Sequence, residues 1–327
     1  MGILGRKVLG LAAAAALALS AHGAAAQTEL RLAVETTPGD PLNVMLTHFR
    51  DALSESAGDE VTLDFYEGGA LGDEVALMEM IRVGEADVVP LGSDVVQLDE
   101  KFAIFDAPFL FGSKEDARAA LDGELGDILA ESLREKANLQ VLAFGELGFR
   151  AISNNVRPIE TPDDLQGLKL RTPGSETRIM AFEMLGAAPT PMSLGDVYVA
   201  LRQGALDGQE NPLSVIKEFS LHEVQDYISL TNHVYSPITL AMNGDTWDSL
   251  SEDLQAKVVE AAKIGAEATR ELSEESDNNL ISEFEEAGVA VNEPDIAAFK
   301  EAAAPIHEEI GQIVTPEFMA KVVELTQ

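Results

Sequence analysis

The sequence predicts an α/β fold of two lobes with mainly parallel sheets, joined by hinge strands and braced by a long helix. Its length of 327 residues exceeds the about 100–150 residues that one domain usually holds. Short apolar strands alternate with amphipathic helices, an order that produces parallel sheets. Extended connectors at residues 141–153 and 230–242 flank the middle of the chain, as expected where a chain leaves one lobe and returns to it.

The N-terminus has the pattern of a secretory signal. Arg6 and Lys7 precede an apolar, alanine-rich run over residues 8–19, and small residues continue to Ala26. We therefore expect a signal peptide over residues 1–26, export by the Sec pathway, cleavage after about Ala26 and a location in the periplasm. A retained membrane anchor is the alternative, although the apolar run is shorter than the about 20 residues that a spanning helix needs.

The composition excludes several classes of function. The chain has no cysteine, which excludes disulfides, thiol catalysis and metal sites built on cysteine. Its 22 basic and 57 acidic residues give a net charge of −35, and such a chain does not bind nucleic acid or anionic lipid through its overall field. The same field repels an anionic ligand, so an anion site needs local cations that act within the screening length of about 8–10 Å.

The first part of the chain predicts three strands separated by two helices, and hence a parallel sheet. The first strand alternates apolar and polar residues, as a half-buried strand does. Asp73 suits the first turn of the second helix, and Gly84 closes that helix as a C′ glycine. The predicted elements are strand 29–34, helix 43–56, strand 61–66, helix 73–84 and strand 87–91.

The middle of the chain predicts a hinge strand followed by a second α/β block. Residues 81–87 and 201–207 share the pattern apolar-Arg-x-Gly-x-x-Asp. This repeat indicates either two lobes of similar topology or a common way of ending a helix before a strand. The predicted elements are helix 114–137, strand 139–144, a helix that starts at Thr161-Pro162, and helices 177–185 and 194–203.

A long helix is predicted over residues 248–286, where apolar residues recur at helical spacing. One helix of this length would brace both lobes, and a break near Gly265 or Ser276 is the alternative. One or two helices close the chain after Pro294. The predicted boundaries are residues 27–147 plus 237–275 for lobe I and residues 148–236 plus 276–327 for lobe II.

Arg150 and Arg171 are the candidate ligand-binding residues that the pattern itself indicates. Each stands near glycine at the end of a short apolar run, and Thr172-Pro173-Gly174 stops the strand after Arg171. Ligands of open α/β sheets lie at the carboxyl ends of strands, and a guanidinium matches a carboxylate with two parallel hydrogen bonds. The pattern indicates an anion-binding cleft; arginines that merely pair with nearby acids are the alternative.

The sequence contains no motif typical of metal binding or catalysis. The five histidines are scattered, and no H-E-x-x-H, P-loop, G-x-S-x-G or G-x-G-x-x-G pattern occurs. We therefore expect no metal, no cofactor and no enzymatic activity. A secreted hydrolase is the alternative, which product formation with candidate acids would test.

Four blocks in the second part of the chain form a specific combination, GLKLRTP at 167–173, LGAAPTPM at 185–192, VYVALRQG at 197–204 and DGQENP at 207–212. This combination resembles the solute-binding subunits of TRAP (tripartite ATP-independent periplasmic) transporters, the dicarboxylate and organic-acid binding family, and further matches extend it over nearly all of the mature chain. The resemblance implies the two-lobed periplasmic binding protein fold. It implies capture of a small organic acid and delivery to the small and large membrane subunits of a sodium-driven permease. A monomer is expected of a protein that closes around its cargo.

The resemblance also implies residue roles. Arg171 clamps the substrate carboxylate, Arg150 assists, and Asn211 donates a hydrogen bond. The rest of the site is expected from the first lobe and the second connector, with the candidates Glu35, Thr36, Glu74, Gly92, Ser93 and Tyr235.

The substrate class follows from the acidic candidates. Glu35 and Glu74 suit substrate hydroxyls, which favours a uronic or aldonic sugar acid, and they repel a second carboxylate unless protonated or turned away. A C4-dicarboxylate or an aromatic acid is the alternative. Leu194 stands where sialic-acid members of the family have an aromatic residue. A binding protein of an ATP-driven importer, which has the same architecture, is the alternative family.

Overall fold

The structure, a computed structural model, describes residues 27–326. The predicted signal peptide lies outside the described residues. Within this range no helix is both long enough and apolar enough to cross a membrane. The strands of residues 27–326 are β1 (Thr28–Ala33), β2 (Val61–Tyr66), β3 (Val88–Leu91), β4 (Leu139–Phe149), β5 (Ala151–Asn154), β6 (Lys169–Thr172), β7 (Ala188–Pro191), β8 (Gly208–Asn211), β9 (Tyr227–Ser229), β10 (Tyr235–Asn243) and β11 (Ala290–Asn292).

The helices cover most of the remaining chain. They are α1 (Pro41–Ala57), α2 (Glu74–Arg82), α3 (Lys114–Leu121), α4 (Glu124–Ala137), α5 (Glu176–Met184), α6 (Leu194–Arg202), α7 (Leu213–Glu218), α8 (Gly244–Ser249), α9 (Glu252–Glu286), α10 (Ile296–Val314) and α11 (Pro316–Leu325). Short 3-10 turns lie at Ser93–Gln97, Glu100–Asp106, Pro162–Leu165 and Leu221–Val224.

The strands form two sheets, and each sheet is the centre of one lobe. We call the sheet of order β2-β1-β3-β10-β4 and its helices the first lobe, and the sheet of order β11-β9-β5-β8-β6-β7 and its helices the second lobe. β1 is parallel to β2 and β3, and β6 is parallel to β7 and β8. The predicted two-lobed α/β fold is confirmed.

The strands that connect the lobes run antiparallel to their neighbours. β10 is antiparallel to β3 and β4, and β5 is antiparallel to β8 and β9. β4 ends at Phe149 and β5 begins at Ala151, so the chain enters the second sheet at Arg150. The second connector becomes a strand only at Tyr235, later than predicted, because Asn232 has a φ of 45°, which a strand does not adopt.

Two predicted helices differ from the structure. The helix expected over residues 114–137 is interrupted between α3 and α4, because Gly123 has φ −122° and ψ −148°, outside the helical region. The helix expected at Thr161 is a single 3-10 turn with a capping box. It ends early because Gly167, with φ 72°, turns the chain directly into β6.

The long helix is confirmed as α9, which is continuous over 35 residues. Gly265 does not break it. An added Cβ at Gly265 would lie 2.5 Å from the carbonyl oxygen of Met45, so this glycine lets α9 approach α1 closely. α9 also contacts β4 in the first lobe and α7 and β11 in the second. It therefore braces both lobes.

Apolar side chains cover both faces of each sheet; in β5, for example, the neighbouring residues Ala151 and Ile152 belong to different buried clusters. Leu30, Leu32 and Phe49 belong to a buried cluster shared by β1, α1 and α9, and Ile216 and Phe284 to a cluster in the second lobe. The predicted lobe boundaries at 147/148 and 275/276 fall inside β4 and α9. The lobes share continuous elements at these places, and the boundaries stay a prediction.

Candidate functional site

A cavity of about 170 Å³ lies between the two lobes. Its walls come mainly from the carboxyl ends of strands: Glu35 follows β1, Gly92 follows β3, and Asn211 ends β8. This is the position where open α/β sheets bind ligands. The lining residues are Glu35, Asp40, Leu42, Asp73, Glu74, Val75, Gly92, Ser93, Asp94, Leu147, Arg150, Arg171, Pro173, Gly174, Met192, Ser193, Leu194, Asn211 and Val215.

Arg171 is held in place by one backbone carbonyl. It lies on β6, paired with Thr190 of β7 and Gln209 of β8, and only 5% of its surface is exposed. Nε and Nη2 donate to the carbonyl oxygen of Met192 at 2.9 and 2.6 Å. Within residues 27–326, Nη1 is left without a protein partner, so this buried guanidinium keeps its charge and a donor for the cavity.

Arg150 is neutralised by a carboxylate of the second lobe. Its Nε and Nη2 donate to the side chain of Glu210, and Nη2 also donates to Oδ1 of Asn211 at 2.8 Å. The alternative of an arginine paired with an acid therefore holds for Arg150. The residue still lines the cavity, but it also fixes the position of Asn211. The amide nitrogen of Asn211 donates to Oε1 of Gln209 at 2.6 Å.

Glu210 joins Arg150 to a buried polar network that the sequence did not predict. Arg178 donates from Nη1 to both oxygens of Glu210 at 3.1 and 3.2 Å and from Nε to Asp106 at 2.7 Å. Nε2 of His233 lies 3.2 Å from Glu210. Burial alone would raise the pKa of Glu210, but Arg150, Arg178 and His233 hold it well below its usual range. Glu210 lies within the DGQENP block; Arg178 has no sequence motif.

Arg171 is the cation that stays available to a ligand. Burial, with the nearby charge of Arg150, lowers the pKa of Arg171 to about 10, while Glu210, Asp94 and Glu35 oppose this shift. The guanidinium is therefore protonated at neutral pH. Because it is buried and lacks a carboxylate hydrogen-bonded to it, an external carboxylate gains a strong charge-assisted contact there.

The first lobe contributes a wall of carboxyl groups. Glu35 accepts from the backbone N–H of Glu74 at 2.9 Å, and Glu74 accepts from the backbone N–H of Gly92 at 2.5 Å. Burial raises the pKa of Glu35 to about 7 and that of Glu74 well above its usual value. Burial likewise raises the pKa of Asp94. These groups are acceptors for hydroxyl groups in the cavity.

The structure brings most of the predicted site residues together and places two elsewhere. The predicted residues that line the cavity are Arg150, Arg171, Asn211, Glu35, Glu74, Gly92 and Ser93. Thr36 is buried behind Glu35, where its carbonyl oxygen accepts from Asn43 at 3.1 Å. Tyr235 packs between Phe111 and Phe149 and donates to Glu146 at 2.9 Å. In the part of the chain that the structure describes, Thr36 and Tyr235 do not line the cavity.

The sequence did not indicate Asp40, Asp94 and Met192 as site residues, although all three line the cavity. Asp40 caps α1 and Asp94 lies in a 3-10 turn; such positions carry no ligand-binding pattern. Within residues 27–326, no group of three or more histidine or acidic residues has the arrangement of a metal site. The geometry suits a small anion that also carries hydrogen-bond donors.

Comparisons with known proteins agree with this geometry. The family model described as bacterial extracellular solute-binding protein, family 7 (DctP), matches residues 32–312. The chain is 37% identical over 287 residues to the 2,3-diketo-L-gulonate-binding periplasmic protein of Escherichia coli strain K12, an alignment that covers 87% of each chain.

Two solved structures share the fold over almost their whole length. The sugar acid binding protein of Advenella mimigardefordensis in complex with galactonate is similar with a TM-score of 0.87 and 29% identity, over 92% of this chain and 98% of that one. A TRAP periplasmic solute binding protein from Roseobacter denitrificans with bound β-D-glucuronate is similar with a TM-score of 0.86 and 32% identity, over 91% and 99%.

Proposed function

The chain belongs to family 7 of the bacterial extracellular solute-binding proteins, the TRAP solute-binding proteins for organic acids, and from this we propose that its cleft captures a sugar acid of the uronic or aldonic class. The single observation that carries this proposal is the buried, available guanidinium of Arg171 opposite the carboxyl groups of Glu35 and Glu74. A ligand with one carboxylate and several hydroxyls fits both sides of this cavity.

We assign the carboxylate of the ligand to the second-lobe side. Arg171 clamps it, Arg150 assists as a further N–H donor although Glu210 already neutralises its charge, and the amide of Asn211 donates a hydrogen bond. Hydrogen bonds to charged groups contribute about 1.5–3 kcal/mol each, so these donors account for a large part of the affinity. The hydroxyls of the ligand then donate to Glu35 and Glu74, with Ser93 as a further partner.

The ligands of related proteins support a sugar acid. A relative from Escherichia coli is named for 2,3-diketo-L-gulonate, and similar structures contain galactonate and β-D-glucuronate. Each is a carboxylate with several hydroxyl or keto groups. The cavity volume of about 170 Å³ is below the about 300–1,000 Å³ of drug-sized pockets, which agrees with a ligand of this small size.

The transport role extends the proposal beyond the cleft. We propose that the loaded protein delivers its ligand to the small and large membrane subunits of a TRAP permease, as a monomer and without chemical change of the ligand. Residues 1–26 would direct export to the periplasm and be removed after about Ala26. Recovery of unaltered ligand after prolonged incubation with the protein would support a role without catalysis, and a new product would contradict it.

A ligand screen tests the proposed substrate class. Thermal unfolding is measured with D-glucuronate, D-galactonate, succinate, benzoate and an uncharged sugar. A ligand present at 100 times its Kd adds about 2.7 kcal/mol of stability. The sugar acids should therefore raise the Tm by several degrees, and the uncharged sugar, glucose, should not. A shift with succinate or benzoate, and none with any sugar acid, would overturn the assignment.

A further inference from the structure

Asp94 is an acidic residue of the cavity wall. It lies in the 3-10 turn that follows β3, and 9% of its surface is exposed. Its Oδ1 is buried, and the backbone N–H of Gly174 and the side chain of Gln97 approach the carboxylate and favour its charged form. Within residues 27–326 its other oxygen, Oδ2, is neither fully buried nor paired. Oδ2 is therefore the atom that can accept a hydrogen bond from a bound molecule.

Asp94 also reaches the opposite wall of the cavity. A Cβ added to Gly174, in the loop that follows Arg171, would lie 3.2 Å from Oδ1 of Asp94 and 3.0 Å from Nε2 of Gln97. Asp94 thus faces the second lobe just beyond the cation that receives a carboxylate. A ligand held by Arg171 places its next atoms within the space that Asp94 borders.

The balance of charge around Asp94 disfavours a second anion. Burial raises the pKa of Asp94, and the charge of Arg171 opposes this shift. Asp94 in turn disfavours ionisation of Glu35 and Glu74 on the same wall. Among the lining residues of 27–326, the cations are Arg150 and Arg171. Glu210 already neutralises Arg150, so the first carboxylate of a ligand uses the available cation.

We infer that Asp94 is a specificity-determining residue, which accepts a hydrogen bond from a hydroxyl group of the ligand and excludes a second carboxylate. The cleft therefore takes sugar monoacids and rejects the corresponding diacids. This inference rests on the proposed function, because it assumes that a sugar acid occupies the cleft with its carboxylate on Arg171. It adds the residue and the physical reason for discrimination between sugar monoacids and diacids.

The matched ligands D-gluconate and D-glucarate test the inference, since they differ only in a terminal hydroxymethyl group against a carboxylate. Like charges juxtaposed in a desolvated site cost several kcal/mol, so titration calorimetry should give wild-type affinity for gluconate about 100-fold or more above that for glucarate. Asp94→Asn keeps the shape of the side chain and removes its charge, and it should reduce this ratio at least tenfold. Asp94→Ala also removes the acceptor and should weaken gluconate binding about tenfold or more.

The control and the outcomes separate this inference from the function it rests on. Glu176→Gln is the control, because it removes one exposed acid two residues beyond Gly174 and outside the cavity. It should leave the affinities for gluconate and glucarate within about twofold of wild type, whereas the Asp94 variants should change them about tenfold, or about 1.4 kcal/mol. Circular dichroism verifies that each variant is folded. If Asp94→Asn does not fold, Asp94→Ala is used to measure the ratio of gluconate to glucarate affinity. If the ratio of gluconate to glucarate affinity is unchanged in the folded Asp94 variants, or if wild type binds both acids equally well, the role of Asp94 is overturned but the proposed function is not. Wild-type protein that binds no sugar acid at all overturns the proposed function as well.

Discussion

At the scale of single residues, burial sets the charge of the cleft as strongly as neighbouring groups do. Burial raises the pKa of Glu35 to about 7, with contributions from Asp40 and Asp94, and Arg171 opposes the shift. Burial lowers the pKa of Arg171 to about 10. Near neutral pH, the cavity groups that change charge therefore include Glu35 and also Asp40, whose pKa burial raises to about 6, while the arginine keeps its proton.

We predict that affinity for a sugar monoacid falls as the pH rises through 7. The bound carboxylate places a negative charge near Glu35 and raises its pKa further, so binding takes up protons. Affinity is then highest when Glu35 is protonated and decreases above its pKa by up to about tenfold per pH unit. Titration calorimetry at about pH 5.5, 7 and 8.5, in two buffers of different ionisation enthalpy, measures the affinity and the proton uptake together.

Glu35→Gln provides the control for this pH dependence. The variant keeps an acceptor for the backbone N–H of Glu74, but its side chain does not titrate. Its affinity should therefore vary less than that of wild type between pH 6 and 8, the range within about one unit of the raised pKa of Glu35. Wild-type affinity that is constant or that rises with pH would contradict the assignment of Glu35.

The positions of both arginines could be predicted from the sequence, but their ion pairing could not. Strand ends beside glycine indicated Arg150 and Arg171. The pairing of Arg150 with Glu210 depends on β5 lying beside β8, where Ala151 is opposite Asn211, 60 positions away in the chain. Local pattern contains no information on that register. For the same reason the packing of Tyr235 in the hinge was not predicted.

At the scale of the elements, close contacts with glycine position the long helix. α9 lies on α1 at Gly265, and it meets the hinge strand β4 where an added Cβ at Gly145 would lie 2.9 Å from Oγ1 of Thr269. Helical periodicity predicted α9 well because its buried residues repeat along one face. Periodicity could not show that Gly265 is a packing contact rather than a break.

We predict that Gly265→Ala destabilises the protein by about 1–3 kcal/mol, the usual cost of overpacking a core. Alanine favours a helix over glycine by about 1 kcal/mol, but its Cβ would lie 2.5 Å from the backbone oxygen of Met45, and a backbone atom cannot move aside easily. Urea unfolding followed by circular dichroism measures the change in the free energy of unfolding.

Gly195→Ala is the matched control for that substitution. Gly195 lies in α6, and an added Cβ there meets nothing within 4 Å. The same mutation should leave stability unchanged or raise it by up to about 1 kcal/mol. If Gly265→Ala were as stable as Gly195→Ala, the tight α1–α9 contact would not be a determinant of stability.

At the scale of the whole molecule, a strongly acidic protein holds an anion-binding cleft. The net charge of −35 repels the ligand at long range, and buried arginines act within a few ångströms, where salt screens little. The two-lobed fold and the family were predictable because strand–helix order and the four motif blocks extend over the chain. The cavity shape was not, since it depends on how the lobes face each other.

We predict that the Tm rises by about 3 °C or more when NaCl increases from low to near-molar concentration at neutral pH. Salt shortens the Debye length from about 30 Å at 0.01 M to about 3 Å at 1 M and so relieves the repulsion between surface carboxylates that opposes the compact state. Differential scanning calorimetry measures the Tm. The effect should be smaller near pH 4, where many carboxylates are protonated, and a Tm that falls with salt at neutral pH would contradict it.

The carboxylate clamp is tested most directly by titration calorimetry of Arg171→Ala with the sugar acid that binds wild type best. Arg157→Ala is the control, because Arg157 also donates from Nε and Nη2 to backbone carbonyls of the second lobe, at 2.8 and 2.9 Å, but lies outside the cavity. We predict that Arg171→Ala weakens binding at least about 100-fold, or about 2.8 kcal/mol, and that Arg157→Ala changes the Kd less than about threefold. An Arg171→Ala variant that is folded and binds the acid with wild-type affinity would contradict the account.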